Sequence, residues 1–391
     1  MTDSSRLVAA IVAQCRAGFE PEVATDLRRL AAMARCDVDV DVDATVGRGF
    51  VAMSVRDFAP SRWQRAHEKL PPIFARTLFV GTGPHSLLDA AAARGRPDRV
   101  TPLVALIEAF SSEMPLPGLP DRGKHKRSYA SLRIEMPDTN EGKALSGLAR
   151  ALESPLAASL RDRGMLVDVN ADNDASSARA CASNVHVFLV DGAHAYVGAS
   201  VSPWASRWPM GIPRLRMPGA APSRSTLKLA EAIVTFVGDR EAALLRAGMR
   251  AVDLGAAPGG WTWQLAYHGL RVTAVDNGPL KGGVRDDPLV THLRADGLKY
   301  LPKRPVDWMT CDIAEQPARI ATLVARWIGE GHARHAIFNL KLPMKKRYDE
   351  VERCAAIIGS GLERSRVRHR FALRQLYHDR EEVTGCVIGE A

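Results

Sequence analysis

Short apolar segments alternate with helical patterns through the C-terminal half of the chain. Four segments have the length of buried strands, and they read "RAVDL" (250–254), "RVTAVD" (271–276), "VDWMTCD" (306–312) and "HAIFNL" (335–340). Before the last of them, Ile320, Leu323 and Val324 recur at helical spacing, so that one apolar stripe can cover a sheet face. Strands that alternate with helices predict a mostly parallel α/β sheet.

Further patterns extend this C-terminal sheet. Helical spacing also occurs in "RSTLKLAEAIVTFV", "TWQLAY", "PARIATLVARWIG" and "RYDEVERCAAIIG", and the last two strand patterns lie around "RHRFALRQL" and "VTGCVI". The N-terminal half differs, because "VDVDVD" and "GFVAMSV" alternate with a period of two. They follow an apolar run, "RLVAAIVAQC", and an amphipathic pattern, "FEPEVATDLRRLAAMA". With helical "TPLVALIEAF" and extended "YASLRIEM" and "NVHVFLV" further on, this half is predicted to be α+β.

A proline-rich stretch separates the two halves. Five prolines occur in "SPWASRWPMGIPRLRMPGAAPS", residues 202–223, and proline removes backbone donors and forbids a regular helix. We therefore predict a linker here. Trp204 and Trp208 within it are expected to pack against protein rather than to stack on unpaired bases.

Composition narrows the class of protein. The chain has 391 residues, of which 46% are hydrophobic and 25% charged, which suits two or three globular domains. It contains no apolar run long enough to span a bilayer, and its first apolar run lacks the cleavage site of a signal peptide, so we expect a cytoplasmic protein without membrane contact. Six scattered cysteines lack zinc-ligand spacing, which favours reduced thiols and no metal site. The formal net charge of +9 is compatible with a polyanionic partner.

The segment "DLGAAPGGW" follows the first strand of the C-terminal sheet. Its glycines, Gly255, Gly259 and Gly260, stand where a ligand approaches the backbone in doubly wound sheets. Asp276 follows about 20 residues later, at the end of the next strand, where an acidic residue usually accepts from ribose hydroxyls. The spacing is not that of the dinucleotide fingerprint, and Pro258 lies inside the loop, so a pyrophosphate is disfavoured. S-adenosylmethionine, a nucleoside without phosphate, fits the loop better.

Later strand ends carry further candidates. Asp296 and Asp312 can complete a cofactor pocket, although aspartates in these places also cap helices. Lys341 ends an apolar strand and is either a surface charge or a buried, working amine. Lys345, Lys346 and Arg347, and further on Arg364, Arg366, Arg368 and Arg370, are either phosphate contacts or a solvated face.

The motifs "SRSTLKL", "DLGAAPGGWTWQL", "AVDNGPL", "CDIAEQPA", "NLKLPMKKRY" and "QLYHDREEVT" resemble those of the RlmM-type 23S ribosomal RNA cytidine 2′-O-methyltransferases, a branch of the FtsJ-like RNA ribose methyltransferases. "CRAGFEPEVATDL", "PDTNEGKAL" and "MGIPRLRMP" extend the resemblance over nearly the whole chain. It implies that S-adenosylmethionine is bound by Ser225, Ala257, Pro258, Gly259, Gly260, Asp276, Asp296 and Asp312. It also implies that Lys228, Asp312, Lys341 and Glu382 surround the reacting hydroxyl, with Lys341 as proton acceptor.

The resemblance also implies a domain organisation. We expect a ferredoxin-like α+β subdomain at 1–85, a THUMP RNA-binding domain at 86–201, the linker at 202–222 and a Rossmann-like class I methyltransferase domain at 223–391. The expected partner is 23S ribosomal RNA, and the expected state is a monomer.

A lysine accepts a proton only if its pKa falls toward the working pH. A second ammonium, Lys228, acts in that direction on Lys341, whereas Asp312 and Glu382 oppose it, so the carboxylates are expected to orient the amines. Glu381 competes with Glu382 for the fourth place, and the resemblance favours Glu382, because the related enzymes place this acid directly before a β-branched residue, here Val383.

Three other functions stay open at this point. A methyltransferase of another RNA position or base is one, although Cys311 lacks the prolyl-cysteine setting of carbon-5 cytosine enzymes and "NLKLP" is not the motif of amine methylation. A nicotinamide oxidoreductase is disfavoured by the glycine spacing. A non-catalytic RNA-binding relative with an inactive cofactor pocket is the third.

Overall fold

The chain forms two compact units, Met1–Ile212 and Pro213–Ala391, and the division falls inside the proline-rich stretch. The structure, a computed structural model, describes residues 9–88, 97–114, 116, 128–167, 183–365 and 367–390, with the backbone alone at 38–43. Among these residues, none of the helices combines the length and the apolar composition needed to cross a membrane. Each unit is described by itself below.

The first unit is a mixed sheet with helices. Its described elements are β1 (Ala9–Gln14), α1 (Glu20–Ala34), β2 (Asp37–Asp43), β3 (Phe50–Arg56), α2 (Pro60–Lys69), β4 (Thr77–Ser86), α3 (Val100–Glu113), β5 (Ser131–Glu135), α4 (Asn140–Ala144), α5 (Ser146–Asp162), β6 (Ser183–Leu189) and β7 (His194–Val201). The strands lie in the order β2-β3-β1-β4-β7-β6-β5, and only β5 and β6 pair in parallel. The predicted α+β class is confirmed, although β4, β7 and α2 were not predicted.

The strands on both sides of residue 85 belong to one sheet, because β4 pairs with β1 on one edge and with β7 on the other. The assignment of a ferredoxin-like subdomain and a THUMP domain to these strands stays a prediction. The start of the linker packs on this unit. Trp204 is 4% exposed, and the N–H of Met210 donates to the buried carboxylate of Glu135 at the end of β5.

The second unit follows the predicted alternation. Its elements are α6 (Thr226–Ala232), α7 (Glu241–Leu244), β8 (Arg250–Leu254), α8 (Gly260–Tyr267), β9 (Arg271–Val275), β10 (Val290–Leu293), β11 (Val306–Cys311), α9 (Pro317–Gly329), β12 (Ala333–Lys341), α10 (Arg347–Arg364), β13 (His369–Arg374) and β14 (Glu382–Gly389). Helix α6 continues as one π-helical turn, Ile233–Val237. Strand β10 was not predicted, because its residues are only half-buried or exposed and lack an apolar pattern.

The second sheet has the order β10-β9-β8-β11-β12-β14-β13. The first five strands in this order are parallel, and β14 and β13 are antiparallel to their neighbours. The chain runs outward from β8 through β9 to β10 and then returns to the other side of β8 with β11. This reversal makes the carboxyl ends of β8 and β11 the expected ligand site of a doubly wound sheet.

Helices α9 and α10 approach each other through small residues. A Cβ atom added to Gly361 would lie 2.6 Å from both Cα and Cβ of Ala325, and one added to Gly329 would lie 2.8 Å from the carbonyl oxygen of Gly361. Real Cβ atoms do not approach other heavy atoms so closely. The two helix backbones are therefore in contact, and this fixes how α10 lies against α9.

We expect Gly361→Ala to destabilise the second unit by about 1–3 kcal/mol, because the added methyl overpacks the contact with Ala325. The matched control is Gly359→Ala on the same helix, where a Cβ atom meets nothing within 4 Å. Alanine there should stabilise the helix by up to about 1 kcal/mol. Chemical denaturation measures both, and equal effects of the two substitutions would contradict the close contact.

Candidate active site

Glycines allow the sharp turns of the loop after β8. Gly255 has φ +75° and Gly259 has φ +114°, both in the left-handed region that favours glycine. A Cβ atom on Gly255 would lie 2.7 Å from Cγ1 of Ile313, and one on Gly259 would lie 2.6 Å from Cγ1 of Val284. The space of these two absent side chains is thus taken by protein atoms. The glycines shape the loop rather than leave a cleft directly above themselves.

The third glycine brings α6 to this loop. A Cβ atom on Gly260 would lie 2.2 Å from Oγ of Ser225 and 2.5 Å from Oγ of Ser223. These two hydroxyl oxygens are 2.7 Å apart, and the hydroxyl of Thr226 donates to the carbonyl oxygen of Gly260 at 3.1 Å. Ser225, a predicted cofactor residue, therefore lies at the first turn of α8.

Two aspartates at strand ends lie beside the loop. The carboxylate of Asp276, directly after β9, accepts from the N–H of Ala257 at 3.0 Å and from the N–H of Gly278 at 2.7 Å. Asp296 is more exposed and accepts from the N–H of Leu298 at 2.9 Å, which is the turn-capping role that the sequence left open. Its neighbour Gly297 packs against the glycine loop, with its Cβ position 3.5 Å from the nitrogen of Gly255.

Four charged side chains from four elements meet at the carboxyl edge of the sheet. Lys341 Nζ, at the end of β12, contacts Oδ1 of Asp312 and Oε2 of Glu382. Lys228 Nζ, on α6, contacts Oε1 of Glu382 and lies 3.7 Å from Oδ2 of Asp312. Positive and negative groups therefore alternate around a small ring, which we call the tetrad. The Lys228 side chain is 18% exposed and that of Lys341 is 30% exposed, so solvent or substrate can reach both amines.

The pairing of β12 with β14 decides which glutamate joins the ring. Lys341 and Glu382 are direct cross-strand partners, so their side chains lie on the same sheet face. Glu381 points away and forms an ion pair with Arg347 at 2.8 Å, with its side chain 60% exposed. The geometry thus places Glu382, and not Glu381, against both lysines.

Comparison with known proteins covers both units. Residues 221–335 match the family described as FtsJ-like methyltransferase, and residues 98–201 match ribosomal RNA large subunit methyltransferase M, N-terminal. A protein named ribosomal RNA large subunit methyltransferase M from Azoarcus sp. (strain BH72) is 43% identical, over 97% of this chain and 96% of its own. A protein of the same name from Methylococcus capsulatus is 42% identical, over 96% of this chain and 97% of its own. Another, from Aromatoleum aromaticum, is 44% identical, over 96% of this chain and 94% of its own.

The chain belongs to the ribosomal RNA large subunit methyltransferase M family. The resemblance inferred from the motifs is confirmed, and so are the Rossmann-like methyltransferase sheet and an enzyme that uses S-adenosylmethionine. The FtsJ-like match ends at residue 335, before Lys341 and Glu382. Half of the tetrad in this methyltransferase therefore lies outside the matched segment.

The electrostatics of the tetrad do not favour the neutral amine that a proton acceptor requires. Burial lowers the pKa of Lys341, but the contacting carboxylates of Asp312 and Glu382 outweigh burial and raise that pKa above its usual value. Burial acts to raise the pKa of Glu382, yet Lys341 and Lys228 lower it. Of the two opposed effects expected from the sequence, that of Asp312 and Glu382 is the larger, because both carboxylates contact the ammonium of Lys341 directly. These contacts favour the charged form of Lys341.

Other residues of the site were missed by the sequence analysis. Nδ2 of Asn339, two residues before Lys341, donates to Oδ1 of Asp312 at 3.0 Å. Glu231, on α6, accepts from the backbone N–H groups of Tyr377 and His378 at 2.8 Å and 2.9 Å, and its Oε2 lies 2.6 Å from Nδ1 of His378. A polar residue in an otherwise apolar strand was the available signal for Asn339.

A buried carboxyl group lies beneath the glycine loop. Asp253, in β8, is 1% exposed, and its two oxygens lie 2.6 Å and 2.9 Å from the hydroxyls of Thr262 and Thr310. Burial raises the pKa of Asp253 to about 7, and the charge of Asp312 adds to the rise. The hydrogen bonds from the threonines act in the opposite direction but do not prevail.

This carboxyl group makes stability depend on pH. The folded protein keeps the proton of Asp253 up to about pH 7, whereas an unfolded aspartic acid loses it near pH 4, so the folded state loses stability as pH rises through 7. Asp253→Asn removes this loss. We therefore expect the free energy of unfolding of the variant to rise by roughly 1.4 kcal/mol relative to that of the natural chain between pH 6 and pH 8. Denaturant titrations at both pH values measure it. Asp286→Asn, at a side chain 74% exposed, is the control, and parallel pH curves for the Asp253 variant and the natural chain would refute the assignment.

Proposed function

We propose that this methyltransferase transfers the methyl group of S-adenosylmethionine to the 2′-hydroxyl of a cytidine in 23S ribosomal RNA. The observation that supports this proposal is the tetrad of Lys228, Asp312, Lys341 and Glu382. A hydroxyl group needs a proton acceptor and stabilisation of the oxygen charge, and the ring has amines and carboxylates within contact of one another. The names of the related proteins support ribosomal RNA of the large subunit as the substrate.

The loop residues fit the methyl donor by their chemistry. The loop lacks the glycine spacing of a pyrophosphate-binding turn and contains Pro258, whereas the carboxylates of Asp276 and Asp296 suit the hydroxyls and amine of a nucleoside. We assign cofactor binding to Ser225, Ala257, Pro258, Gly259, Gly260, Asp276, Asp296 and Asp312. When bound, S-adenosylmethionine supplies an electrophilic methyl group and a positive sulfonium charge.

In the proposed reaction, the ribose oxygen forms a bond to the methyl carbon while the bond from that carbon to sulfur breaks. Lys341 first releases its ammonium proton to solvent, and the neutral amine then accepts the hydroxyl proton. The carboxylate contacts of Lys341 oppose its neutral form, whereas an added positive charge in the pocket favours the neutral form. Lys228 remains an ammonium between the same two carboxylates and stabilises the developing oxyanion. Asp312 and Glu382 hold the two amines in place.

RNA contacts are proposed for exposed cations next to the tetrad and for the first unit. Lys345 and Lys346 are exposed and directly follow the strand that ends at Lys341. Arg347 is engaged by Glu381, Arg368 lies 3.5 Å from Glu390, and Arg366 is outside the described residues. We assign RNA binding to the predicted THUMP domain at 86–201, with a monomeric enzyme in the cytoplasm.

A deoxy substitution distinguishes ribose from base methylation. First, mapping of ribosomal RNA from cells with and without the protein identifies the modified nucleotide. An RNA fragment with 2′-deoxycytidine at that nucleotide should bind but accept no methyl group, because the reacting oxygen is absent. Transfer of tritium from methyl-labelled cofactor measures this result. Unreduced transfer to the deoxy fragment would instead indicate methylation of the base, which is the alternative function.

Lys341→Ala tests the catalytic assignment. We expect it to lower kcat by about 100-fold or more, because a general base contributes at least this factor, while calorimetry shows cofactor affinity within about twofold of the natural chain. Lys303→Ala, at an exposed lysine of the same unit, is the control and should retain activity. Activity of Lys341→Ala equal to that of the control would show that another group accepts the proton.

A further inference from the structure

A chain of buried polar side chains leads away from the tetrad into the second unit. Asn339 Nδ2 donates to Asp312, and Asn339 Oδ1 lies 2.8 Å from the hydroxyl oxygen of Thr384. That hydroxyl oxygen in turn lies 2.9 Å and 3.1 Å from the two carboxyl oxygens of Asp379. Asn339, Thr384 and Asp379 are each 0% exposed, so water cannot replace any of these contacts.

The sheet register explains why the chain of contacts reaches the tetrad. Asn339 and Thr384 are cross-strand partners in β12 and β14, as are Lys341 and Glu382 two residues along. Side chains two residues apart on a strand share one face. The pair Asn339 and Thr384 therefore lies directly behind the pair Lys341 and Glu382, on the same side of the sheet.

A count of protons fixes the direction of the hydrogen bonds. The carboxylate of Asp312 requires the NH₂ group of Asn339, so the oxygen of that amide faces Thr384. The two contacts of Thr384, to Asn339 and to Asp379, then need one proton each, and all the atoms facing it are oxygens. A threonine hydroxyl supplies only one proton. The second must be on Asp379.

We propose that Asp379 is a neutral carboxylic acid whose proton, through Thr384 and Asn339, orients Asp312 against Lys341. Asp379 is thus a positioning residue of the methyltransferase, two bridging side chains away from the tetrad. The carboxyl group of Asp379 donates to Thr384, Thr384 donates to Asn339, and Asn339 donates to Asp312. The assignment of the reaction rests on the proposed function, but the protonation of Asp379 does not.

The surroundings of Asp379 favour the neutral form. Burial raises the pKa of Asp379 well above its usual value, and the carboxylates of Glu382 and Glu231 add to the rise. The N–H of Leu376 donates to Oδ2 of Asp379 at 2.9 Å, and both carboxyl oxygens of Asp379 face the hydroxyl oxygen of Thr384. Loss of the proton would turn the Thr384 hydroxyl toward Asp379 and leave the oxygen of Asn339 without a donor.

Infrared spectroscopy of the full chain tests the protonation state without substrate or cofactor. With ¹³C-labelled aspartate at neutral pH, the natural chain should show the carbonyl band of a buried carboxylic acid that is absent from Asp379→Asn. The same comparison with Asp253→Asn identifies the band of the other buried aspartate and keeps the two apart. A spectrum in which Asp379→Asn removes no carboxylic acid band would overturn the proposal.

Kinetics test the positioning role. Thr384→Val keeps the shape of the side chain but removes the hydroxyl, and we expect kcat to fall about tenfold while KM for S-adenosylmethionine is unchanged, as for the loss of one buried hydrogen bond. Thr384→Ser keeps the hydroxyl and should restore most of kcat. Asp379→Asn, whose NH₂ group can donate to Thr384, should likewise have a higher kcat than Asp379→Leu.

A purely structural role has a different outcome. Thr384→Val would then unfold at lower denaturant but show the kcat of the natural chain once folded, and the positioning role would be refuted. If the natural chain itself methylates no RNA, the proposed function fails, while the infrared result still decides the protonation of Asp379.

Discussion

The antiparallel register between β12 and β14 is the constraint on which the active site depends. It pairs Lys341 with Glu382 and sets Asn339 beside Thr384 on the same face. Between these pairs, Leu340 and Val383 are partners on the opposite face, and both are fully buried. A slip of one residue would move the apolar pair to the polar face, so the cost of exposing apolar surface fixes the register and with it the contacts of the tetrad.

The tetrad in turn depends on alternation of charge. Each lysine contacts a carboxylate, so no ammonium or carboxylate in the partly buried ring lacks an opposite charge. This balance leaves no compensation for further negative charge nearby. Asp253 on one side and Asp379 on the other are both buried carboxyl groups, and burial together with the tetrad's acids raises the pKa of each. Burial, the larger cause, and the tetrad's acids therefore both favour the protonated form of these two groups.

The glycine loop has a comparable dual role. Its left-handed residues let it turn at the end of β8, and the absent side chains admit Ile313, Val284 and the serines before α6. The loop therefore carries Ser225 and α6 to the sheet edge, and Lys228 lies on that helix. Local backbone geometry at the glycines contributes in this way to the position of one tetrad amine far from them in sequence.

Local sequence patterns predicted the alternation of strands and helices in the second unit, the place of the glycine loop and the residue types of the tetrad. These features are local, because apolar periodicity, turn glycines and motifs are each contained in a few neighbouring residues. Strand β10 was missed because its residues have no apolar pattern. The resemblance favoured Glu382 over Glu381, and the cross-strand pairing of Lys341 with Glu382 places that glutamate on the face of the lysine.

The electrostatics of the site depend on contacts that exist only in the folded protein. The rise in the pKa of Lys341 depends on its distances to Asp312 and Glu382, and the link from Asp379 to Asp312 depends on two cross-strand contacts. Electrostatic energy follows distance and burial in space, not separation along the chain. For that reason the motifs identified the groups that meet in this methyltransferase, and folding determined which of them hold a proton.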